Sequence, residues 1–143
     1  MRAEAPGLDR IRTLLTDDSK VAPIARLLGA RVLSVESGRV LVEFAVKAEF
    51  MHSGGVVQGG IVTAYGDVCM ALAAHTFDHG EFLSTSSITV NFLASVTEGP
   101  VLGEGTVIRK GRSTVFLEAA LRSAAGTEYA RASSVGSIRR PQK

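Results

Sequence analysis

The chain has 143 residues and a mass of 15.0 kDa, the size of one ordinary domain. Hydrophobic residues make up 45% and charged residues 21%, which excludes intrinsic disorder and predicts a core that holds without metal or crosslinks. The net charge of +2 is too small to indicate a general polyanion binder, so we expect no nucleic-acid partner.

The first predicted elements are two short helices and a hairpin. Apolar residues at helical spacing over residues 8–17, and again after Pro23, predict two leading helices within residues 1–29. Alternating apolar residues over 31–36 and 39–46 predict two strands. Ser37 and Gly38 between them are typical of a hairpin turn.

The centre of the chain is a glycine-rich loop, residues 51–60, before an alanine-rich apolar segment. That segment, Ile61 to Phe77, predicts a buried helix. Four strands are predicted after it, over 82–94, 101–110, 112–122 and 127–138. We therefore expect one α+β domain over residues 1–143. Its curved sheet of five or six mostly antiparallel strands wraps the helix and covers it on every side, and residues 139–143 form a tail.

The cellular setting is predicted from what the sequence lacks. A single cysteine, Cys69, excludes an internal disulfide and agrees with a reducing compartment, so we expect a cytoplasmic protein. No uncharged apolar run is long enough for a membrane span, and the first residues lack an apolar stretch of signal-peptide length. We therefore expect no membrane association.

Common catalytic signatures are absent from the sequence. No GxSxG elbow, GxxxxGK[ST] loop or GxGxxG loop is present, and Cys69 lies in the apolar helix without a nearby histidine. His75 and His79 are spaced as two ligands on one helix face, with Asp78 between them, but a further ligand for zinc is missing. We expect no metal and no cofactor.

Asp67 is the only charged residue between Gly59 and Phe77. An ionised carboxylate on an apolar helix is costly unless it is paired, so Asp67 needs an explanation. Two interpretations stay open from the residues alone. The carboxylate accepts hydrogen bonds from nearby hydroxyls, or it serves as a base or nucleophile.

Several motifs together resemble a known family. They are the loop from His52 to Gly60, the lone Asp67, the strand Thr85-Ser-Ser-Ile-Thr-Val-Asn91, and the turn Gly111-Arg112. The sequence from about residue 23 to 138 resembles the hotdog-fold acyl-CoA thioesterases, in particular the phenylacetate-pathway (PaaI-like) branch. In that branch an acid follows the first of two paired glycines by eight positions, and the interval from Gly59 to Asp67 is the same.

The resemblance implies a fold and roles for individual residues. It implies a hotdog fold, with the Gly59 N–H stabilising the thioester oxyanion and Asp67 attacking directly or activating water. It places Thr85 where a hydroxyl orients that water, and it assigns Gly60 and Ser84 to substrate binding. Two positions depart from the family pattern, since His52 stands where Asn is usual and Gln58 replaces the motif histidine. Both replacements can still donate hydrogen bonds, so we expect His52 and Gln58 in the catalytic site.

Helix geometry predicts that this site is shared. Eight residues at about 1.5 Å rise each separate Gly59 from Asp67 by about 12 Å, too far for both to touch one reacting carbon. If both act on one thioester, the acid meets the Gly59 end of another chain's helix, which requires a two-fold homodimer. The family resemblance implies the same dimer, often as a dimer of dimers.

The basic turn at residues 109–112 is the best local anion site. Arg109, Lys110 and Arg112 flank Gly111 between two strands, an arrangement suited to the phosphates of CoA and equally typical of a solvated hairpin tip. The resemblance favours contact with an acyl-CoA substrate. Two competing hypotheses remain: a non-catalytic acyl-CoA binding or sensing module, and a dehydratase acting on hydroxyacyl thioesters.

Overall fold

The computed structural model describes residues 6–77 and 82–139. Its helices are α1 (Pro6–Arg12), α2 (Pro23–Leu27) and the central α3 (Gly59–His75). Its strands are β1 (Arg31–Glu36), β2 (Arg39–Phe44), β3 (Phe82–Phe92), β4 (Val101–Lys110), β5 (Thr114–Ser123) and β6 (Glu128–Arg139). Short 3-10 turns occupy Thr13–Leu15, Asp18–Lys20 and Ala48–Phe50. His79, the second histidine considered for zinc, and the neighbouring Asp78 lie outside the described residues. Most of the predicted tail also lies outside them.

All six strands join one antiparallel sheet in the order β1-β2-β4-β5-β6-β3. The predicted α+β class and the antiparallel sheet beside a central helix are confirmed. Gly38, at φ 76°, takes the left-handed conformation that the β1–β2 turn requires and that favours glycine. The order places β3 at an edge of the sheet, next to β6 alone.

Helix α3 begins and ends two residues earlier than the predicted Ile61 to Phe77. It begins at Gly59 because the carbonyl of Gln58 already accepts the N–H groups of Ile61 and Val62. It ends where the Thr76 hydroxyl donates to the Ala73 carbonyl at 2.7 Å and accepts the Gly38 N–H at 2.7 Å. The same threonine thus ties the helix end to the first hairpin.

Helix α3 packs one side firmly against the sheet. Its buried residues recur at helical spacing: Val62, Tyr65, Gly66, Cys69, Met70, Ala73 and Ala74. On the side that we call the open side, Gly60 is exposed while Thr63, Asp67 and Ala71 are half-buried. The expectation of a helix covered on every side is therefore met only in part within one chain, because the side chains on the open side stay partly exposed.

Two glycines on β4 let the sheet approach α3 closely. A Cβ atom on Gly105 would lie 2.1 Å from the carbonyl oxygen of Cys69, and one on Gly103 would lie 2.5 Å from the Cys69 Sγ. Tyr65 anchors the same side of the helix, since its hydroxyl donates to the Ala45 carbonyl at 3.0 Å and its ring centroid lies 4.7 Å from that of Phe44. Burial raises the pKa of Tyr65 to about 12, so the hydroxyl stays a donor at neutral pH.

Candidate active site

Asp67 and Thr85 meet on the open side of α3. The Thr85 Oγ1 donates a hydrogen bond of 2.9 Å to the Asp67 Oδ1. Thr85 pairs with Gly136 of β6, and the bulge between Thr85 and Ser87 follows directly. The carboxylate is half-buried, and its second oxygen has no hydrogen-bond partner among the described residues. The pair therefore presents an oriented carboxylate with one oxygen available to a water molecule.

Ser84 lies on the other face of the sheet from Thr85. Successive side chains of a strand point to opposite faces, and Ser84 pairs with Ser137 on the face turned away from α3. Ser86 occupies the bulge itself. Within one chain, Thr85 is brought to Asp67, whereas the predicted substrate contact Ser84 is not.

The N-terminus of α3 offers free backbone donors. Gln58 is the N-cap residue, and its side chain makes no capping hydrogen bond. Within residues 6–77 and 82–139, the N–H groups of Gly59 and Gly60 have no acceptor. Such unpaired donors at the positive end of the helix dipole suit a developing oxyanion.

His52 holds together the loop that precedes α3. Its Nδ1 accepts the Gly54 N–H at 2.9 Å, and its carbonyl accepts the Gly55 N–H at 2.9 Å. In the neutral ring the proton therefore sits on Nε2, which is left as a donor on an exposed side chain. Gly54 lies so close to the ring that a Cβ there would stand 2.8 Å from the His52 Cε1.

A small cleft opens beside the first turn of α3. It measures about 320 Å³ and lies between residues 56–62 and 92–96, which the hydrogen bond from the Val57 N–H to the Val96 carbonyl ties together at 2.9 Å. The ring of Phe92 forms its wall at the helix end, 3.3 Å from where a Gly59 Cβ would lie. The sequence marks Phe92 only as an aromatic residue of the strand predicted over 82–94, and nothing in its spacing points to this cleft. Tyr65, Met70 and Phe50 do not line this cleft, because they are buried in the core.

The basic turn lies beyond the opposite end of α3. Arg109, Lys110 and Arg112 are exposed, and none pairs with an acidic residue in the part of the chain described. Val107 on the same strand donates its N–H to the carbonyl of Gly38, beside Phe77 after the helix C-terminus. The turn and the Gly59 N–H of one chain are thus separated by the length of the helix.

Other candidate chemistry finds less support in the geometry. Burial raises the pKa of the Cys69 thiol, which keeps it from acting as a thiolate nucleophile. His75 uses its Nε2 to accept the Leu83 N–H at 3.1 Å. Over 6–77 and 82–139 no three His, Cys, Asp or Glu side chains gather as a metal site would require, and no helix there is long and apolar enough to span a membrane.

Comparison with known proteins decides the family. A model of the thioesterase superfamily matches residues 54–130, more than half of the chain. The chain belongs to the thioesterase superfamily. A protein of Saccharolobus solfataricus, named as a candidate esterase, is 34% identical over 124 residues, which cover 87% of this chain and 89% of that protein.

Two solved structures extend the comparison to the fold. The PaaI protein of the Escherichia coli phenylacetic acid degradation operon has a TM-score of 0.80 at 18% identity, covering 94% of this chain and 96% of PaaI. A Streptococcus mutans protein solved with acetyl CoA bound has a TM-score of 0.73 at 23% identity, covering 80% of this chain and 91% of that one. The predicted hotdog fold and the resemblance to PaaI-like thioesterases are confirmed.

Proposed function

We propose that this thioesterase-superfamily chain hydrolyses acyl-CoA to a free acid and CoA, as a two-fold homodimer with two shared sites. The observation that carries the proposal is the Thr85–Asp67 pair on the open side of α3, about 12 Å along the helix from the free N–H groups of Gly59 and Gly60. One carboxylate and one set of donors at that separation cannot serve the same carbonyl. Two copies related by a two-fold axis can supply both to each of two sites.

The surface around the site supports a partner chain. Strand β3 is an edge strand of 11 residues that leaves one row of backbone groups unpaired. Phe92 and Leu93 at its end are 56% and 55% exposed. A second copy placed along β3 would cover these side chains together with the open side of α3. Ile108 and Phe116, exposed on the outer face of the sheet, suit a second contact that joins two dimers.

The proposed chemistry needs only groups that the chain supplies. The thioester carbonyl accepts the Gly59 N–H, with Gly60 beside it, while Asp67 of the partner subunit acts as nucleophile or as base toward water. Thr85 keeps that carboxylate oriented. The tetrahedral intermediate then breaks its C–S bond. In the base route the thiolate of CoA takes up the proton that Asp67 removed from water. In the nucleophilic route water cleaves the mixed anhydride left on Asp67, which releases the acid and supplies the proton. His52 and Gln58 lie on the loop before the helix, where their side chains can donate to the substrate.

The basic turn completes the proposed site from the partner subunit. Because Arg109, Lys110 and Arg112 lie beyond the C-terminal end of α3, a two-fold axis that brings the two helices together turns one chain's basic residues toward the other's Gly59. Phosphates of CoA carry the charge that these side chains would bind. The acetyl CoA bound to the Streptococcus mutans protein supports this class of ligand.

The first test is a panel of acyl-CoAs with a thiol reagent that detects free CoA. We expect release by the wild-type protein and a loss of about a thousandfold in kcat for Asp67→Asn, in the range that a positioned acid or base contributes. If wild type and Asp67→Asn bind CoA equally and neither releases thiol, the protein is a binding module. Hydration of an enoyl-CoA without thiol release would identify a dehydratase.

A mixed-dimer experiment tests the shared site. Gly59→Pro removes the proposed donor at the first helical position, where proline is tolerated, and Gln58 at ψ 137° already has the extended backbone that precedes proline. Gly59→Ala keeps the N–H and is the matched control. Each defective variant alone should be inactive. Co-refolded Asp67→Asn and Gly59→Pro chains form mixed dimers half of the time, each with one intact site of two, so about a quarter of the wild-type activity should return. No recovery would contradict a shared site.

A further inference from the structure

We infer that the cleft beside the first turn of α3 holds the acyl group, that it selects compact and uncharged acyl groups, and that Phe92 sets their maximal length. The inference rests on the proposed thioesterase function and goes beyond it by naming a substrate class and a specificity-determining residue.

The position of the cleft connects it to the reacting carbonyl. Gly59, the proposed oxyanion donor, is itself one of the lining residues, and Val62 one turn along the helix is another. A thioester whose carbonyl oxygen accepts the Gly59 N–H therefore has the cleft directly beside its carbonyl carbon. The CoA portion then extends away from the cleft, toward the basic turn proposed above for the partner subunit.

The lining of the cleft carries no charged side chain. Its residues are aliphatic or aromatic apart from one serine and one glycine: Val56, Val57, Gly59, Val62, Phe92, Leu93, Ala94, Ser95 and Val96. Its polar groups are the Ser95 hydroxyl and backbone groups, among them the N–H of Gly59 at the helix end. An acyl group that carries a free carboxylate would lose part of its hydration here with no cationic side chain in the lining to compensate.

The volume of the cleft matches a compact acyl group. About 320 Å³ lies at the lower end of the range of about 300 to 1,000 Å³ that small-molecule pockets occupy. Such a space suits a short chain or a single ring and not an extended fatty chain. The acyl group is therefore compact.

Phe92 is the residue that closes the space. It is the last residue of β3, and its ring lies over the backbone of Gly59, with Cζ and Cε1 at 3.3 and 3.6 Å from where a Cβ of that glycine would stand. The ring is 56% exposed and contributes little to the core of this chain, and its place over the helix end puts it at one limit of the cleft. Truncating the ring lengthens the cleft without touching a donor or the carboxylate.

The test compares Phe92→Ala with Phe82→Ala. Phe82 lies at the other end of the same strand, is 50% exposed, and is therefore a matched control. For each protein we would measure kcat/KM over straight-chain acyl-CoAs from acetyl to palmitoyl, and the Kd of S-alkyl thioether analogues of CoA, which cannot be hydrolysed. Sedimentation would check that each variant keeps the wild-type assembly.

We expect wild type to prefer short chains and to favour pentanoyl-CoA over glutaryl-CoA by at least about tenfold. Phe92→Ala should raise the palmitoyl-to-hexanoyl ratio of kcat/KM by about 10-fold or more, the scale on which apolar pockets discriminate chain length, and the thioether Kd ratio should shift in the same direction. Phe82→Ala should leave both ratios unchanged. A general loss of structure would lower all rates together and would not alter a ratio.

The outcomes separate this inference from the proposed function. If no thioester is hydrolysed but the thioethers bind with a chain-length preference that Phe92→Ala shifts, the cleft is an acyl site of a non-catalytic binder. If hydrolysis occurs and the ratios are the same in wild type and Phe92→Ala, the role of Phe92 is overturned. Thioethers that bind with no length preference, or do not bind, overturn the acyl assignment of the cleft whatever the hydrolysis result.

Discussion

The side of α3 that faces β4 has no spare space, whereas the side that carries Asp67 is only half covered. On the side that faces β4, a single carbon atom added to Gly105 would collide with the carbonyl of Cys69. On the other side, Gly60 would meet nothing within 4 Å of an added Cβ. One helix thus presents two environments, separated by about half a turn.

The difference teaches where the fold and the candidate chemistry are each determined. The packed side contributes buried apolar surface, which is the main favourable term in folding and tolerates little change in volume. The open side contributes a polar pair and free backbone donors, which add little to the stability of the isolated chain. Substitutions on the two sides should therefore separate loss of folding from loss of activity.

The largest effect is expected for Gly105→Ala on the packed side. The new methyl group would lie 2.1 Å from the Cys69 carbonyl oxygen and 3.0 Å from the Met70 nitrogen, and both are backbone atoms of the helix. Helix and strand must move apart, at a cost of about 3 kcal/mol. Urea unfolding followed by circular dichroism measures the free energy of unfolding.

Gly60→Ala is the control for this substitution. Its methyl group enters open space, so the free energy of unfolding should stay within about 1 kcal/mol of the wild-type value. Equal losses for the two alanine variants would contradict the distinction between a packed side and an open side.

The helices and strands could be predicted because the spacing of apolar residues and the turn residues between them indicate secondary structure. Alternation predicted β1 with its observed bounds, and β-branched residues between turn residues predicted β4 with its observed bounds. The apolar run predicted α3 to within two residues at each end. The contact between Gly105 and Cys69 was not predictable, because it depends on how the sheet curves over the helix. Sequence spacing could propose Asp67 but could not show which neighbouring hydroxyl reaches it. The register of β3 against β6 turns Thr85 inward and Ser84 outward.

Thr85→Val tests the open side at close to constant volume. It removes the hydroxyl that donates to the Asp67 Oδ1 and leaves the carboxylate free to rotate. We expect kcat toward the best acyl-CoA to fall about tenfold, which corresponds to one lost neutral-to-charged hydrogen bond. Stopped-flow or steady-state thiol release provides the measurement.

Thr85→Ser is the rescue variant for this position. It retains a hydroxyl and should recover most of the activity, while urea unfolding should differ little among the three proteins because the pair is half exposed. Activity equal to wild type in Thr85→Val would mean that Asp67 needs no positioning by this residue.

Tyr65→Phe tests the packed side of α3 by removing a hydrogen bond, with almost no change in side-chain volume. Loss of the 3.0 Å bond to the Ala45 carbonyl should lower the free energy of unfolding by about 1 kcal/mol at neutral pH. The folded pKa of about 12 lies above the ordinary value of 10.0, because burial disfavours the phenolate. The contribution of Tyr65 is therefore fully present below pH 10 and is lost as the pH rises toward 12.

The pH series distinguishes Tyr65 from other groups that titrate in this range. Over pH 10 to 12, wild type should lose more stability than Tyr65→Phe, and the two unfolding curves should converge. Parallel losses would show that Tyr65 does not carry the alkaline destabilisation.

The smallest effect is expected for Arg112→Ala. Arg112 lies in the turn between β4 and β5, on neither the packed side nor the open side of α3. The exposed guanidinium would bind a phosphate of CoA equally in the ground state and the transition state, so its removal should raise KM about threefold and leave kcat unchanged. Because exposed charges are screened by salt, the ratio of the mutant KM to the wild-type KM should approach one as ionic strength rises. Arg31→Ala, an exposed arginine that pairs with Glu43 at 3.4 Å, is the control and should leave KM unchanged. A fall in kcat at constant KM for Arg112→Ala would instead place this side chain at the reacting centre. The active site would then include the β4–β5 turn as well as the open side of α3.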